Sequence, residues 1–375
     1  MKKVVLLSAT NTDYEPRMQF AEKYFHDRGY ETTIILSDFS HINKKKIETF
    51  NNKFKYIKTI PYSKNLSVMR IISHRNFSKK VYYELCKIKP DIIFAEMPPN
   101  FIGKYIAKYK RKYGAEIIFD ICDLWPESLP IEKLKGPLKL PLNIWRNLRD
   151  KNIVEADRII VECNLFREVL CSVTKNVKTA TIYLSKHDNF KLNDVLIDAE
   201  KINVCYLGSI NNIIDIETIV KILSEINKYK VVNVHIIGSG EQKHKFIQAL
   251  EDSNISVEYY GILFNESDKH KIMSQCNFGL NIMKSGIHVG MTMKSLDYFS
   301  EGLPILNNIQ YDTKDMVENH RIGFNVDNED IVNLAKSIIS MEKNDFIKMR
   351  ERTNAVFKQY FTPDVFNKMF DDLMK

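Results

Sequence analysis

Short apolar runs alternate with amphipathic segments from the first residues of the chain. These runs are apolar at nearly every position, which is typical of strands covered on both faces. In the first half the predicted strands are Val4–Leu7, Glu31–Leu36, Asp91–Ala95, Glu116–Phe119 and Asp157–Glu162. The predicted helices between them are Arg17–Arg28, Phe77–Ile88 and Phe101–Tyr113. This alternation predicts a doubly wound parallel sheet.

The pattern restarts after a polar stretch, residues 186–201, which has no apolar core and many residues typical of linkers. The strands predicted beyond it are Ile202–Leu207, Val231–Ile237, Val257–Tyr260, Phe278–Ile282 and Ile305–Leu306. The predicted helices are Asp215–Tyr229, Gln242–Leu250, Glu266–Ser274 and an amphipathic C-terminal segment, Phe361–Lys375. We therefore predict an α/β protein with two Rossmann-like domains, residues 1–188 and 195–358, that face a central cleft. Ligands of such sheets bind at the carboxyl ends of the strands.

The composition agrees with two globular domains and limits the classes of binding partner. The 375 residues are 44% hydrophobic and 27% charged, and this length fits two domains of roughly 150–200 residues. The net charge of +8 favours an anionic partner such as a nucleotide, a lipid phosphate or a membrane surface, although a lysine-rich surface without a basic site explains it equally well. Nucleic acid fits poorly because no recognised binding module is present.

Cysteine usage and hydropathy favour a cytoplasmic protein. The six cysteines form no C-x-x-C pair, and most lie in apolar contexts, so we expect reduced, buried thiols. The apolar run at the N-terminus ends at Ser8 and is too short for a signal peptide. No apolar run approaches the roughly 18 residues of a membrane span. Two basic segments, residues 41–58 and 104–113, are compatible with peripheral membrane contact or with solvated surfaces.

The segment Val289–Leu306 carries the strongest chemical signal. Gly290 permits a turn, Thr292 is a candidate N-cap, and the Gly302–Pro304 sequence ends a short helix. A helix N-terminus with Lys294 in its first turn attracts phosphate. Lys294, Asp297 and Glu301 share one helix face, so a carboxylate for sugar hydroxyls lies beside the phosphate site. An ordinary helix with a solvated charged face explains the same pattern about as well.

Two glycine turns support a phosphate or ribose site in the second half. Gly208-Ser209 follows one predicted strand, and Gly238-Ser239-Gly240-Glu241 follows the next. Glycine there lets the backbone approach a ligand closely, although each turn alone is a weak signal. No Walker lysine motif is present, and no G-x-G-x-x-G sequence opens the first helix. A P-loop nucleotide-binding protein and an NAD-dependent enzyme are therefore disfavoured.

A second polar segment, residues 119–130, follows a predicted strand in the first half. Its acids are Asp120, Asp123 and Glu127, and Trp125 lies among them. A carboxylate at this strand end is suited to act as a base or to stabilise developing positive charge, and Trp125 is suited to stack on a sugar ring. Alternatively, Trp125 anchors the packing and the acids cap the next helix. The histidines show no metal-ligand spacing; His288, just before the phosphate-type turn, is the one of interest.

Taken in order, these motifs resemble the GT-B glycosyltransferases of the group 1 type (family 4), which build bacterial polysaccharides and glycoconjugates. The resemblance covers nearly the whole chain. Its parts are D-L-W-P-E-S at Asp123–Ser128, E-A-D-R-I-I-V at Glu155–Val161, Y-L-G at Tyr206–Gly208, I-I-G-S-G-E at Ile236–Glu241, Y-G-I-L at Tyr260–Leu263 and K-S-L-D-Y-F-S-E-G-L-P at Lys294–Pro304.

The resemblance implies a nucleotide sugar, with UDP as the leading nucleotide, held by the C-terminal domain. The backbone near Leu263 would meet the base, Asp297 the ribose, and the Met291 and Thr292 amides with Lys294 the diphosphate. The implied donor-binding residues are Gly208, Ser209, Gly238, Gly240, Leu263, Gly290, Met291, Thr292, Lys294 and Asp297. No metal or other cofactor is expected, because the helix N-terminus and the lysine supply positive charge.

The resemblance also places the acceptor on the N-terminal domain, and the last helix, residues 361–375, would return to that domain. The acceptor would enter past Asp123 and the loop Ser8–Arg17. The candidate acceptor-binding residues are Arg17, Trp125 and Glu127, and the candidate catalytic residues are Asp123 and Lys294. The acceptor would be a glycan, a lipid-linked sugar or a protein-linked sugar. A homo-oligomer is compatible with this arrangement.

The sequence departs from the family pattern in three places. The family often has two acids eight positions apart; Asp297 fits the second, but Val289 occupies the first. No basic pair follows Gly208, and the glycine-rich loop after the first strand is replaced by residues 8–17. Arg17 is a candidate for the missing positive charge.

We therefore favour a metal-independent sugar transferase that acts with retention, as the resemblance implies, in surface polysaccharide or glycoconjugate synthesis. The departures motivate a different hypothesis, a non-catalytic partner or chaperone of another transferase. A third hypothesis is a nucleotide-sugar epimerase on the same fold.

Overall fold

The chain folds into two compact units. The computed structural model describes residues 1–9, 16–41, 43–65, 67–128, 139–198, 200–287 and 289–375. One unit, here called the N-terminal unit, comprises Met1–Ser185 and Phe366–Lys375. The other, the C-terminal unit, comprises Lys186–Val365.

The N-terminal unit alternates strands with helices. Its strands are β1 (Lys3–Ser8), β2 (Glu31–Ser37), β3 (Phe39–Ser40), β4 (Lys45–Lys46), β5 (Phe54–Ile57), β6 (Ile92–Met97), β7 (Glu116–Ile121), β8 (Arg158–Val161) and β9 (Lys178–Thr181). Its helices are α1 (Pro16–Asp27), α2 (Val68–Ile88), α3 (Phe101–Tyr113), α4 (Lys139–Ile153) and α5 (Asn164–Thr174).

The C-terminal unit repeats the alternation after a short 3-10 helix, Leu192–Asp194. Its strands are β10 (Lys201–Leu207), β11 (Val231–Ile237), β12 (Ser256–Gly261), β13 (Phe278–Asn281), β14 (Ile305–Asn307) and β15 (Gly323–Asn325). Its helices are α6 (Ile216–Asn227), α7 (Lys243–Glu251), α8 (Glu266–Met273), α9 (Met293–Ser300), α10 (Asp312–His320), α11 (Ile331–Ile339) and α12 (Lys343–Tyr360). The last helix of the chain, α13, is Pro363–Met374.

Each unit contains one parallel sheet whose strand order reverses near its centre. The N-terminal sheet has the order β5-β2-β1-β6-β7-β8-β9, and the C-terminal sheet has the order β12-β11-β10-β13-β14-β15. Strand β6 is buried at all six positions, as expected when both faces are covered. The prediction of doubly wound parallel sheets is therefore confirmed. The reversal between β10 and β13 is a topological switch point, where open α/β sheets bind ligands.

The last helix packs into the core of the N-terminal unit. Phe366, Phe370 and Leu373 are buried in one apolar cluster with residues of β1, β6 and α1. Phe370 lies 4.4 Å from Tyr24, measured between ring centroids. The C-terminal unit has its own cluster, built around Val204, Val234 and the apolar face of α6.

Every strand predicted from an apolar run is present, but several elements were not predicted. Helix α2 begins at Val68 rather than Phe77, because Ser67 caps it: the Ser67 side chain accepts a hydrogen bond from the Arg70 amide. The unpredicted elements are the short strands β3, β4, β5, β9 and β15 and the helices α4, α5, α10, α11 and α12.

One expectation about the cysteines is wrong. All six cysteines are free thiols, and Cys163, Cys205 and Cys276 are buried as expected. Cys171, however, is exposed, because it lies on the outward side of α5. Cys86 and Cys122 are only partly buried. Among the described helices, none has both the length and the apolar character needed to cross a lipid bilayer.

Candidate functional site

Two glycine turns meet at the carboxyl edge of the C-terminal sheet. Gly208 follows β10 with φ +113°, and Gly238 follows β11 with φ +142°. The Gly208 amide donates to the carbonyl of Ile237 at 2.8 Å. A Cβ atom on Gly238 would lie 1.9 Å from the Gly208 carbonyl oxygen. Both backbone conformation and space therefore require glycine at position 238.

The residues after these glycines tie the two turns together. The Ile210 amide donates to the Ser239 carbonyl at 3.0 Å, and the Gln242 amide donates to the Ile210 carbonyl at 2.9 Å. A Cβ atom on Gly240 would lie 2.3 Å from the Ile210 carbonyl oxygen. The structure thus brings Gly208, Ser209 and Gly240 to one edge of the sheet, beside the switch point.

Helix α9 begins at the same edge with a fixed N-terminus. Thr292 has extended backbone, and its Oγ1 accepts a hydrogen bond from the Ser295 amide, so the predicted N-cap is confirmed. The Thr292 hydroxyl donates to Asn281 Oδ1 at 2.9 Å at the end of β13. Thr313 donates to the Gly290 carbonyl from both its amide and its hydroxyl, at 2.9 and 2.7 Å. The turn at Gly290–Thr292 is therefore anchored on both sides.

Lys294 is a half-buried cation in the first turn of α9. Its Nζ lies 4.4 Å from the centre of the Tyr206 ring. Burial lowers the pKa of Lys294 to about 8. Among the described residues, no carboxylate lies within ion-pair distance of its ammonium group. A half-buried ammonium without a carboxylate is suited to an anionic ligand such as a diphosphate.

Asp297 lies one turn further along α9 and has a partner that the sequence did not reveal. Lys186 Nζ donates to Asp297 Oδ1 at 2.6 Å and also pairs with Glu266 at 2.8 Å. Burial lowers the pKa of Lys186, but the attraction of Asp297 and Glu266 outweighs burial and raises it. The sequence signal for Lys186 is weak, because it is the first residue of the polar stretch between the two halves.

Glu301 differs from the two other charged residues on its helix face. It is 3% exposed, and its carboxylate accepts from His270 Nδ1 at 2.6 Å. His270 Nε2 lies 3.0 Å from Asp194 Oδ2, so the imidazole bridges two carboxylates. The bridge ties α8 and α9 to the 3-10 helix, which indicates a structural role for Glu301. Leu263 follows β12 at the same sheet edge and is half-buried.

In the N-terminal unit, Asp123, Trp125 and Glu127 follow β7, as predicted. Asp123 accepts a hydrogen bond from the Ser128 hydroxyl at 2.6 Å. Burial raises the pKa of Asp123, and the Ser128 hydrogen bond only partly opposes this. The Arg70 guanidinium lies over the Trp125 ring, 4.2 Å from its centre.

Glu127 is held by two arginines of α4. Arg149 donates to both of its oxygens, at 2.6 and 2.9 Å, and Arg146 donates to Oε1 at 2.7 Å. The Arg149 side chain is itself 2% exposed and also donates to the Trp125 carbonyl at 3.2 Å. These contacts fix the backbone around Trp125.

Arg17 lies inside the N-terminal unit. It is 1% exposed, its Nε donates to Asp120 at 2.5 Å, and its Nη1 donates to the Ile182 carbonyl at 2.7 Å. Glu96, Asp120 and Cys122 place one metal-ligand atom each within 4.8 Å of one another. The Arg17 guanidinium pairs with Asp120, and it therefore supplies positive charge beside these three side chains.

The candidate residues therefore form two groups, one in each unit. The donor candidates, from Gly208 to Asp297, lie at the carboxyl edge of the C-terminal sheet. Asp123, Trp125 and Glu127 lie at the carboxyl edge of the N-terminal sheet, and Arg17 pairs with Asp120 at the end of β7. His288, residues 10–15 of the predicted loop, and residues 129–130 of the second polar segment lie outside the described residues.

Comparison with known proteins matches part of the C-terminal unit to one family model. Residues 201–344 match the family model for glycosyl transferases group 1, and this range contains every donor candidate. No sequence among curated proteins matches the chain.

Three solved structures share the fold over nearly their whole length. Sucrose-phosphate synthase from Thermosynechococcus elongatus is 12% identical with a TM-score of 0.74, covering 100% of this chain and 98% of that one. Anabaena HepE, solved with UDP and glucose, is 12% identical with a TM-score of 0.66 and coverage of 100% and 99%. A mutant of TarM from S. aureus, solved with fondaparinux, alpha-GlcNAc-glycerol and UDP, is 11% identical with a TM-score of 0.64 and coverage of 100% and 99%.

These matches confirm the resemblance drawn from the motifs. The chain has the GT-B fold, and its residues 201–344 match the family model of group 1 glycosyltransferases.

Proposed function

We propose that this chain transfers a sugar, with retention, from a UDP-sugar to a glycan, lipid-linked or protein-linked acceptor in surface polysaccharide or glycoconjugate synthesis. The observation that carries the proposal is the environment of Lys294. It is a half-buried cation with a lowered pKa and without a described carboxylate partner, in the first turn of a capped helix, at the switch point of a parallel sheet. The UDP bound in the solved HepE and TarM structures supports UDP as the nucleotide.

In this proposal the C-terminal unit binds the donor. The amides of Met291 and Thr292 and the ammonium of Lys294 hold the diphosphate, and they stabilise the charge that develops as it leaves. Asp297 accepts hydrogen bonds from the ribose hydroxyls while Lys186 keeps it in place. The positive charge that a metal ion supplies in other enzymes comes here from the helix N-terminus and Lys294.

The N-terminal unit binds the acceptor. Trp125 offers an aromatic face for a sugar ring, and Glu127 with its arginines holds the Trp125 loop. The raised pKa of Asp123 brings its carboxylate closer to the range where a group accepts a proton from a hydroxyl effectively. We assign Asp123 this role or that of stabilising positive charge on the donor sugar.

Calorimetric titration tests the donor site. UDP, GDP, ADP and TDP are titrated into the wild-type chain, and we expect UDP to bind most tightly. Lys294→Ala should weaken UDP binding by about tenfold to a hundredfold, the loss expected for one charge-assisted contact. Lys245→Ala is the matched control, because Lys245 is an exposed lysine of the same unit. Asp297→Asn should weaken UDP binding while leaving pyrophosphate binding unchanged.

The same preparations separate the competing functions. Release of UDP from UDP-glucose, followed by chromatography, should require Lys294 and Asp123. If Lys294→Ala keeps both donor binding and transfer, the proposal is wrong. No heat with any nucleoside diphosphate would favour the non-catalytic partner, and conversion of the donor sugar without an acceptor would favour the epimerase.

A further inference from the structure

We infer that the N-terminal unit contains a binding site for the phosphate group of an anionic acceptor, formed by Arg70, Lys44, His41 and His74 around Tyr62. The inference rests on the proposed function in one respect: it names the chemistry of the acceptor. The site itself follows from the packing of these five side chains.

The five side chains form one cluster between the β3–β4 ribbon and the start of α2. Tyr62 lies at its centre: its hydroxyl is 2.6 Å from His41 Nδ1, and its ring centre is 6.2 Å from that of His74. Lys44 Nζ lies 5.3 Å from the Tyr62 ring centre, and the Arg70 guanidinium carbon lies 5.8 Å from it. A guanidinium, an ammonium and two imidazoles therefore surround a single phenol.

One ring nitrogen of His74 is a hydrogen-bond donor without an acceptor among the described residues. Arg70 Nε donates to His74 Nε2 at 3.4 Å, so Nε2 is the accepting nitrogen and the ring proton resides on Nδ1. His74 is 8% exposed, and its Nδ1 has no hydrogen-bond partner among the described residues. A buried N–H without an acceptor is costly, and an oxyanion oxygen would satisfy it.

The cluster also carries positive charge that no described carboxylate neutralises. Arg70 is 6% exposed, and its Nη1 donates to the Asn65 carbonyl at 3.1 Å. Lys44 Nζ donates to the His41 carbonyl and to Asn65 Oδ1. Neither cation has a carboxylate within ion-pair distance in the described part of the chain; the Asp38 carboxylate is taken by Lys46.

The pKa values of both histidines are lowered by burial and, in addition, by the neighbouring positive charge. Burial first, and then Arg70 and Lys44, lower the pKa of His41 to about 4. Burial, Arg70 and His41 lower the pKa of His74 to about 3. Two neighbouring cations without a counter-ion are unfavourable where one of them, Arg70, is buried and the other, Lys44, is half-buried. A bound phosphate would supply the missing negative charge and bidentate acceptors for the guanidinium.

The position of the cluster connects it with the acceptor. The Arg70 guanidinium lies over Trp125, and Asp123 attracts Arg70 electrostatically from beyond ion-pair distance. On the outer side, Val68 and Met69 at the start of α2 are 70% and 46% exposed. An acceptor phosphate bound here would lie between the proposed catalytic carboxylate and an apolar surface. The phosphate could belong to a soluble phosphate ester or to a lipid headgroup.

Tryptophan fluorescence tests the site without an activity assay. The chain has two tryptophans, Trp125 and Trp145, and both belong to the N-terminal unit, so the emission reports this unit. With UDP present to fill the donor site, glycerol 3-phosphate is titrated, with glycerol as the uncharged control. A second series uses phosphatidylcholine vesicles with and without phosphatidic acid, followed by co-sedimentation.

We expect saturable binding of the phosphate ester or of the anionic vesicles, weakened about tenfold or more in Arg70→Gln. Arg75→Gln removes the same charge from an exposed position on the same helix and should bind like wild type. If Arg70→Gln is misfolded by circular dichroism, Lys44→Gln replaces it, with an expected loss of roughly threefold.

The outcomes are distinct. Binding of glycerol 3-phosphate identifies a soluble ester as sufficient, whereas binding of anionic vesicles alone identifies a lipid phosphate; either supports the site when Arg70→Gln removes it. No saturable binding of either probe, or equal losses in Arg70→Gln and Arg75→Gln, overturns it. UDP titration of Arg70→Gln should match wild type, so failure of the donor site would be seen separately.

Discussion

The Lys294 side chain is half-buried against the Tyr206 ring, and this determines the pH range in which it carries charge. Burial disfavours the charged form, so its pKa falls to about 8. Below that pH the side chain is protonated and attracts a diphosphate; above it the neutral amine does not. A bound diphosphate would favour the charged form and raise the pKa again.

We therefore predict that UDP affinity falls as the pH rises through about 8. The second pKa of a phosphate is about 6, so the charge of the UDP diphosphate is nearly constant above pH 7. Calorimetry between pH 7 and pH 9, below the range in which the uracil base ionises, should show affinity falling by up to about tenfold per unit above the pKa of Lys294. In Lys294→Arg the charge persists and the slope should flatten. A flat wild-type profile would contradict the assigned role.

At this scale the sequence predicted local chemistry but not long-range partners. Thr292 was predicted as an N-cap from its position before a helix, and the Thr292–Ser295 contact confirms it. The Asp297–Lys186 pair joins residues 111 positions apart, and the Glu301–His270 pair joins residues 31 apart. Helix spacing contains no information about such partners, because they depend on how the strands order in the sheet.

At the scale of elements, glycine is needed for two separable reasons, backbone conformation and lack of space. Gly238, after β11, and Gly286, after β13, allow the two reasons to be compared. Gly238 and Gly286 both have positive φ, at +142° and +80°. A Cβ on Gly238 would meet the Gly208 backbone, whereas one on Gly286 would meet no atom of the described residues within 4 Å. Gly286→Ala should cost only the left-handed backbone penalty of roughly 1–2 kcal/mol.

Gly238→Ala should destabilise the C-terminal unit further, by roughly 3 kcal/mol or more, because the clash adds to the backbone penalty. Urea denaturation monitored by far-UV circular dichroism measures both variants. We also expect Gly238→Ala to weaken UDP binding, since the turn at Gly208 must shift. Equal stability of the two variants would show that the close approach of the turns is unimportant.

His270 links three elements and makes their stability depend on pH. Burial lowers its pKa, but hydrogen bonds to Glu301 and Asp194 outweigh burial and raise it. Because the pKa of His270 is higher in the folded state, its contribution to the free energy of unfolding is fully present below the unfolded-state pKa of about 6.5. That contribution is lost as the pH rises through the folded-state pKa. The bridge from α8 and α9 to the 3-10 helix should therefore weaken in alkaline solution.

We predict that His270→Ala lowers the free energy of unfolding by about 1–3 kcal/mol at pH 6 and by less at pH 9, because the wild-type contribution declines as the pH rises through the raised pKa. Urea titrations at the two pH values measure the difference. His244→Ala is the control, because His244 is an exposed histidine of α7 in the same unit. A cost that is the same at both pH values would show that the charge of the imidazole does not contribute.

Apolar runs predicted strands well, and their absence explains the strands that were not predicted. Val231–Ile237 was predicted with the bounds that the structure gives. Strand β9, with the sequence K-T-A-T, is an edge strand with one buried residue, so it has no apolar run. Helix α4 contains Pro141 in its first turn and exposed Leu140 and Ile144, which obscures its amphipathic face.

At the scale of the whole molecule, the chain returns to its first unit at the end. The sequence indicated two halves because the alternation of strands and helices restarts after a polar stretch. Neither the strand orders nor the partners of α13 could be predicted from periodicity, because an amphipathic face shows that a helix is covered but not by what. Phe370 of α13 is fully buried beside Tyr24 and Phe25.

We predict that Phe370→Ala destabilises the N-terminal unit by about 3–5 kcal/mol, because it leaves a cavity in that core. Tryptophan fluorescence during urea denaturation reports this unit, since both tryptophans belong to it. Lys368→Ala, at an exposed position of the same helix, should be neutral. UDP binding should survive in Phe370→Ala, because every donor candidate and the apolar cluster beneath them belong to the C-terminal unit. Loss of UDP binding together with the fluorescence transition would mean that the donor unit depends on α13 for its own stability.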